Sequence, residues 1–393
     1  MNGLMQTTRT STAPATMPPK DEETLIPASP AHPLTRTLST PGRDRALEDR
    51  MAHLRQMGAE MLRTVELERA ATLTRLGQRA LMVLGLAAAL LLPARAARAG
   101  AAEVVIDSTH VMGQAHRGQM FVRPRAIAID PTHGEVIVAN SGLGRIEYFD
   151  YRTWPLGFFT HEVPGPDGRP LVGEPLALAV TAQGELLLSD FRAPYVDVLD
   201  YRGRSLRTIV LPAPDDTAGA QAGPGQIAVA PDGHILIASR GAGRVHVFDD
   251  RMRFVTTWGV TGQDSAQLKD ITALAVAADG RVFVTCAATT YAVQVFDMNG
   301  RFERGFGRHE LGPGNFSLPS GLAFASGDRV CVSDAIRQIV QVFETDGTFV
   351  GTFGGVGIGL AQFREPSALA GDGHGLLALA EKSGSRFQVL WLR

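Results

Sequence analysis

The chain has 393 residues, 45% of them apolar and 20% charged, with a formal net charge of −2. A balance so close to zero supplies no basic field for nucleic acid. Its two cysteines, Cys286 and Cys331, form no CxxC pair, which excludes a c-type haem site and a disulfide framework.

Residues 1–41 hold seven prolines and twelve serines and threonines with few large apolar side chains. Such a composition cannot offset the entropy of ordering, so this segment is expected to be disordered. Over 42–79, Leu47, Met51, Leu54, Met61, Leu62, Val65 and Leu67 recur at roughly helical spacing among Arg and Glu, which predicts a short amphipathic helix. Arg75 and Arg79 then precede ALMVLGLAAALLLP (80–93) and the small-residue run ARAARAG. Basic flank, apolar core and an A-x-A arrangement read as a secretory signal over 80–99, cut after Ala97-Arg98-Ala99. The apolar run is well short of the ~20 residues needed to span a bilayer. An uncleaved anchor is the second reading. The expected location is periplasmic or extracellular, with a tether to the inner membrane if 80–93 is retained as a transmembrane segment. A signal placed this far into a chain points to a start at Met51 or Met61.

From residue 100 onward one pattern recurs. Its head is P-x-x-φ-A, where φ is apolar: Pro124–Ala128, Pro175–Ala179, Pro224–Ala228, Pro319–Ala323 and Pro366–Ala370. A sixth copy, Ile271–Ala275, lacks only the proline. The closing alanines lie 51, 49, 47, 48 and 47 residues apart. Each head is followed by a second apolar run (VIVAN, LLLSD, ILIAS, VFVTC, VCVSD, LALAE) and a third (IEYFD, VDVLD, VHVFD, VQVFD, VQVFE, FQVLW), with Gly-containing turns between them. A fixed period in this range with four short strands per unit predicts an all-β, six-bladed β-propeller of four-stranded antiparallel blades over 100–393. The last unit stops after its third strand. The segment Glu103–Ile106 (EVVI) is expected to supply the missing outer strand and close the ring, leaving no free sheet edge.

In such a blade the loops between strands two and three share one face, the top, with the linkers between blades. Top loops carry Arg125, Arg145, Arg192, Arg240, Arg244 and Arg337, together with Asn140, Asp190, Asp334 and Glu381 at the ends of the second strands. These ten are the candidate binding residues, and a basic top suits an anionic ligand or a protein partner. Intra-blade Asp–Arg pairs fastening the loop would account for many of the same residues. The position just before each P-x-x-φ-A head should enter the channel mouth: Arg123, Glu174, Gly223, Asp270, Leu318 and Glu365. Glu174, Asp270 and Glu365 fall on alternate blades, and three carboxylates converging on an axis could hold Ca²⁺. Solvated loop charges are the plainer reading, and no other cofactor is indicated. His116, His161 and His309 lie in linkers without close zinc-ligand spacing. No G-x-S-x-G elbow, phosphate loop or dinucleotide fingerprint occurs.

The P-x-G-[IL]-A head, the G-x-[IL]-x-V-[SA]-D strand, the R-x-x-x-x-F-D strand and the G…G-Q-F-x-x-P linker resemble NHL repeats, over about residues 100–393. The resemblance implies a six-bladed propeller. NHL-like propellers include protein- and RNA-binding modules, extracellular sensor domains and a few metal-dependent lyases and lactonases, so function must be argued from the site. The leading expectation is an exported scaffold binding a protein or ligand through its top loops, and not an enzyme. The alternative is a metal-dependent hydrolase, lactonase or lyase at the channel mouth.

Overall fold

The computed structural model describes residues 104, 106–212, 223–326 and 329–393. The segments read above as disordered (1–41), amphipathic (42–79) and export signal (80–99) lie outside them, as does Glu103. Among the described residues no helix is long and apolar enough to cross a membrane.

Six four-stranded antiparallel sheets follow one another along the chain. Blade one runs Pro124–Asp130, Glu135–Asn140, Arg145–Asp150 and Pro155–Thr160. Blade two is Pro175–Val180, Leu186–Asp190, Tyr195–Leu199 and Ser205–Val210, and blade three is Pro224–Val229, Ile235–Ser239, Val245–Phe248 and Phe254–Trp258. Blade four comprises Ile271–Val276, Val282–Cys286, Val293–Phe296 and Phe302–Phe306. Blade five comprises Pro319–Phe324, Arg329–Asp334, Ile339–Glu344 and Phe349–Gly354. Blade six takes Pro366–Gly371, Leu376–Glu381 and Arg386–Leu392, and its outer strand is Ile106–Met112 from the start of the domain. The closure is as expected, but the closing strand lies later than EVVI. It pairs with Arg386–Leu392 in a register that sets Thr109 opposite Leu390 and Met112 opposite Phe387.

Each first strand contacts the first strands of both neighbouring blades, so the ring is closed around an axis. The apolar side chains sort into six clusters, one at each blade–blade interface. Ala126 and Leu186 pack between blades one and two, for example, and Phe283 and Phe343 between blades four and five. The φ residues of the repeated head (Ile127, Leu178, Ile227, Leu274, Leu322 and Leu369) are all buried and ring the axis at mid-depth. Burying each contributes roughly 1.5–3 kcal/mol, and with Arg125, Gln226, Thr272, Ser320 and Ser367 they line a small axial cavity of about 60 Å³.

Crowding near the axis explains the small residues of the heads. A Cβ on Gly321 would stand 2.6 Å from the backbone nitrogen of Leu369 in the next blade. Serine hydroxyls bridge neighbours: Ser189 Oγ donates to Gly225 O (2.8 Å) and Ser367 Oγ to Pro124 O (2.7 Å). In every blade the pairing of first and second strands slips right after the head residue. Such bulges re-aim side chains. Here they fall at Arg125, Leu176, Gly225, Thr272, Ser320 and Ser367, at the upper end of the axis.

On the opposite face, the turns between third and outer strands are built by aspartate. Asp150, Asp200, Asp249 and Asp297 each accept from the backbone N–H groups two and four residues on. The aspartates of this face are therefore largely turn chemistry.

Candidate functional site: the top face

Asn140, Asp190, Asp334 and Glu381, expected among the binding residues, are fully buried. They hold loop backbone instead of solvent. Asp334 accepts from the N–H groups of Ser317, Leu318, Ile336 and Arg337, Asn140 from Val122 N, and Glu381 from Arg364 N. Each pins an inter-blade linker to the end of its second strand.

A second fastener stands on the third strand. Gln294, Gln341 and Gln388 each reach into the preceding linker. Gln341, for example, accepts from Gly314 N (2.8 Å) and donates to Asn315 O (2.7 Å). Blades one and two replace this glutamine with Glu147 and Asp197, and their linkers answer with histidine. His116 donates its backbone N–H to Glu147 Oε2 (2.9 Å), with its ring Nδ1 3.1 Å from the same oxygen. His161 lies between two carboxylates, with Nδ1 3.1 Å from Asp190 and Nε2 3.4 Å from Asp197. Burial opposes the charged imidazole, but the two carboxylates outweigh it and raise the His161 pKa to about 8. A hairpin, Glu162–Pro164 with Pro170–Val172, follows directly and buries Val163. In blade three the same slot is a Ser–His–Thr relay: Ser239 Oγ to His246 Nε2 2.7 Å, and His246 Nδ1 to Thr257 Oγ1 2.7 Å. Burial, then the nearby Arg244 charge, lower the His246 pKa to about 4. Because it occupies the fastener position of the repeat, this relay is read as structural.

The linker histidines thus go to separate blades, and His309 is exposed on its own loop. Among the described residues no three His, Cys, Asp or Glu side chains are grouped to hold a metal. Nor are the mouth carboxylates brought together. Glu174 faces Arg123 (3.6 Å) and Arg125 (3.8 Å), Glu365 takes Lys382 (2.5 Å) and the Ser383 hydroxyl, and Asp270 is exposed. Cys286 and Cys331 are both free and fully buried, and burial raises their thiols to about 11 and about 12.

Among the described residues the expected acid–Arg fastening of the loop holds in blade six, where buried Arg386 meets Glu381 at 2.7 Å. Arg123 and Arg125 face Glu174 of the next blade, and several other top arginines lie on carbonyls and rings. Arg337 donates to Gly312 O and Asn315 O, Arg192 to Val172 O, and Arg145 lies 4.7 Å over Phe158. Among the described residues Arg145, Arg192, Arg240, Arg244, Lys269, Arg337 and Arg364 have no carboxylate within 4.0 Å. Among the described residues these unpaired cations outnumber the exposed, unpaired acids of the same face, Glu162, Asp264, Asp270 and Glu310, so the top is mixed with a positive excess.

Sequence reasoning missed the apolar component. Large apolar side chains stand out of the top loops of blades five and six: Leu311 (87% exposed), Ile336 (62%), Val356 (70%), Ile358 (70%) and Leu360 (66%). Ile336 and Val356 wall a groove of about 420 Å³ whose other side is Arg364 and Glu365. The one available signal was the run GVGIGL in the 355–360 linker, apolar residues where a loop ordinarily carries polar ones.

A scan against protein-family models and a search of curated proteins find no match. Solved structures do match in shape. Virginiamycin B lyase from Staphylococcus aureus superposes with a TM-score of 0.50 at 14% identity, over 73% of this chain and 99% of that one. A streptogramin B lyase gives 0.51 at 14%, over 72% and 98%. A protein of unknown function from Bacteroides thetaiotaomicron gives 0.54 at 13%, over 73% and 76%. At such identities the likeness shows the fold alone, and the six blades are those of this chain's own sheets.

Proposed function

We propose that this chain is an exported, NHL-type propeller whose top face docks an acidic polypeptide segment with an apolar anchor. The observation that carries this reading is the exposure of Leu311, Ile336, Val356, Ile358 and Leu360 in the top loops of blades five and six, where Ile336 and Val356 share a groove with Arg364 and Glu365. Apolar surface gathered on rigid loops and rimmed by charge is the usual make-up of a protein-recognition patch. The rim selects the sign of the partner, because Arg337 and Arg364 lack carboxylates of their own among the described residues. Export follows from the 80–99 signal pattern.

The alternative, a metal-dependent hydrolase, lactonase or lyase, rests on Glu174, Asp270 and Glu365 holding equivalent positions at the mouth. Against it, Glu174 and Glu365 already face cations.

An array of peptides with a central Leu/Ile/Phe anchor and either Asp/Glu or Lys/Arg flanks tests the docking reading. The acid-flanked set should bind, weaken with salt, and be lost in Ile336→Asp/Ile358→Asp. Equal binding of both flank types, or binding unchanged in that variant, overturns it.

A further inference from the structure

Blade three departs from the repeat at both of its mouth positions. Where other blades place Arg123, Glu174, Asp270, Leu318 or Glu365, it has Gly223. Where they place Arg125, Leu176, Thr272, Ser320 or Ser367 on the bulge, it has Gly225. The vacated space is filled from another element. The Arg240 guanidinium lies across Gly223, where a Cβ would collide with its Nη2; a Cβ on Gly225 would meet Ala238 O at 3.1 Å and the Arg240 Cγ at 3.3 Å. Gly225 has no positive φ, so turn geometry does not call for glycine there. Gly223 leaves room for a guanidinium, and Gly225 for its stem.

That guanidinium is poorly satisfied. Among the described residues its Nε is buried without a hydrogen-bond partner, and its Nη1 reaches only Phe191 O at 3.4 Å. It stacks on the Phe191 ring at 5.1 Å, and Arg125 stacks on the same ring at 4.8 Å. Beside them opens a cavity of about 270 Å³. Phe191, Leu176 and Ile271 form its apolar wall, Arg240 its cationic side, and Thr272 and Asp270 its far side.

We propose that this cavity is a binding site for a small monocarboxylate with an apolar or aromatic body. The carboxylate pairs with Arg240, and the body lies against Phe191 and Leu176. Guanidinium and carboxylate match in plane and charge. Asp270 across the cavity disfavours a dianion such as phosphate and leaves room for a donor on the ligand. The size suits a small acid, since pockets for larger ligands run from roughly 300 to 1,000 Å³. The same chemistry can come from a free acid or from the C-terminal carboxylate of a polypeptide. The site lies across the mouth from the blade five and six patch, so the two bindings fail separately.

The test is calorimetric titration of the propeller with phenylacetate and N-acetylphenylalanine, with benzylamine, N-acetylphenylalanine amide and inorganic phosphate as comparisons. One-to-one binding of the two acids is expected at up to millimolar concentrations, with none of the amine, the amide or phosphate. Arg240→Ala should weaken it roughly tenfold or more. Gly223→Ala, which keeps the charge but displaces the guanidinium, should do the same, while Arg337→Ala should leave it unchanged. Thermal unfolding of each variant checks the fold. A decapeptide ending in phenylalanine separates the sources: binding as tight as or tighter than N-acetylphenylalanine assigns a C-terminus, and weaker binding a free acid. No saturable binding of either acid, equal binding of amide or phosphate, or full binding by Gly223→Ala in a folded protein overturns the proposal.

Discussion

Replacing His161 with glutamine removes the cation held between Asp190 and Asp197, and the consequence depends on pH in a calculable way. The imidazole is buried, so solvent screens it little. Its pKa rises from 6.5 to about 8, the two carboxylates outweighing the opposing effect of burial. At 1.36 kcal/mol per pH unit this difference is worth about 2 kcal/mol. A raised pKa means the fold binds the proton more tightly than the unfolded chain does. The contribution is therefore complete below pH 6.5 and is lost as pH rises through about 8. With about 2.1 cal/mol/K of unfolding entropy per residue over roughly 290 residues, 2 kcal/mol is about 3 °C in Tm. Urea unfolding of wild type and His161→Gln from about pH 6 to pH 9.5 should show a stability gap about 2 kcal/mol wider at the acid end. The double variant His161→Gln/Asp197→Gln puts glutamine at the third-strand position, as in Gln294, Gln341 and Gln388, and should recover stability while losing the pH dependence. A gap that stays constant, or widens with pH, refutes the argument.

Other consequences follow from the same geometry. Leu369→Ala opens the apolar ring at the axis and should cost about 2–5 kcal/mol in urea unfolding, since neighbours from several blades cannot all collapse into the space. His246 behaves oppositely to His161. Burial and Arg244 lower its pKa to about 4, so its contribution is present above pH 6.5 and lost as pH falls through about 4. His246→Gln should accordingly flatten the acid limb of the stability profile by about 3 kcal/mol. Removing Ile106–Met112 strips blade six of its outer strand and exposes the Arg386–Leu392 edge. Cooperative thermal unfolding should disappear and return on adding a peptide spanning 104–114, whereas a truncated chain that unfolds cooperatively by itself would show that the closing strand is dispensable.

Blade number and strand order were legible because the P-x-x-φ-A head is dictated by two strong constraints, crowding at the axis and a buried apolar ring. The closing strand was misplaced for a physical reason. Outer strands are half solvated, so hydrophobicity scarcely marks them, and EVVI looks more strand-like than IDSTHVM. What selects the latter is its register against Phe387 and Leu390, a relation spanning most of the domain. The polar residues at the ends of the second strands had two readings, binding group or loop fastener. Asn140, Asp190, Asp334 and Glu381 are each buried by the linker whose amides they hold, a contact the sequence does not display. Phe191 and Arg240 come from different blades, so no local pattern joins them. The paired glycines at 223 and 225 were visible as a departure from the repeat, though not what would fill them.

The claim that function resides on the top face is tested most directly by hydrogen exchange. The tightest acid-flanked peptide from the array is added to the wild-type propeller, and amide protection is mapped. Protection should concentrate in the loops around Leu311, Ile336–Gln338 and Gly355–Arg364 and be absent from the aspartate turns of the opposite face. Protection centred on those turns, or on the outer strands, contradicts the account.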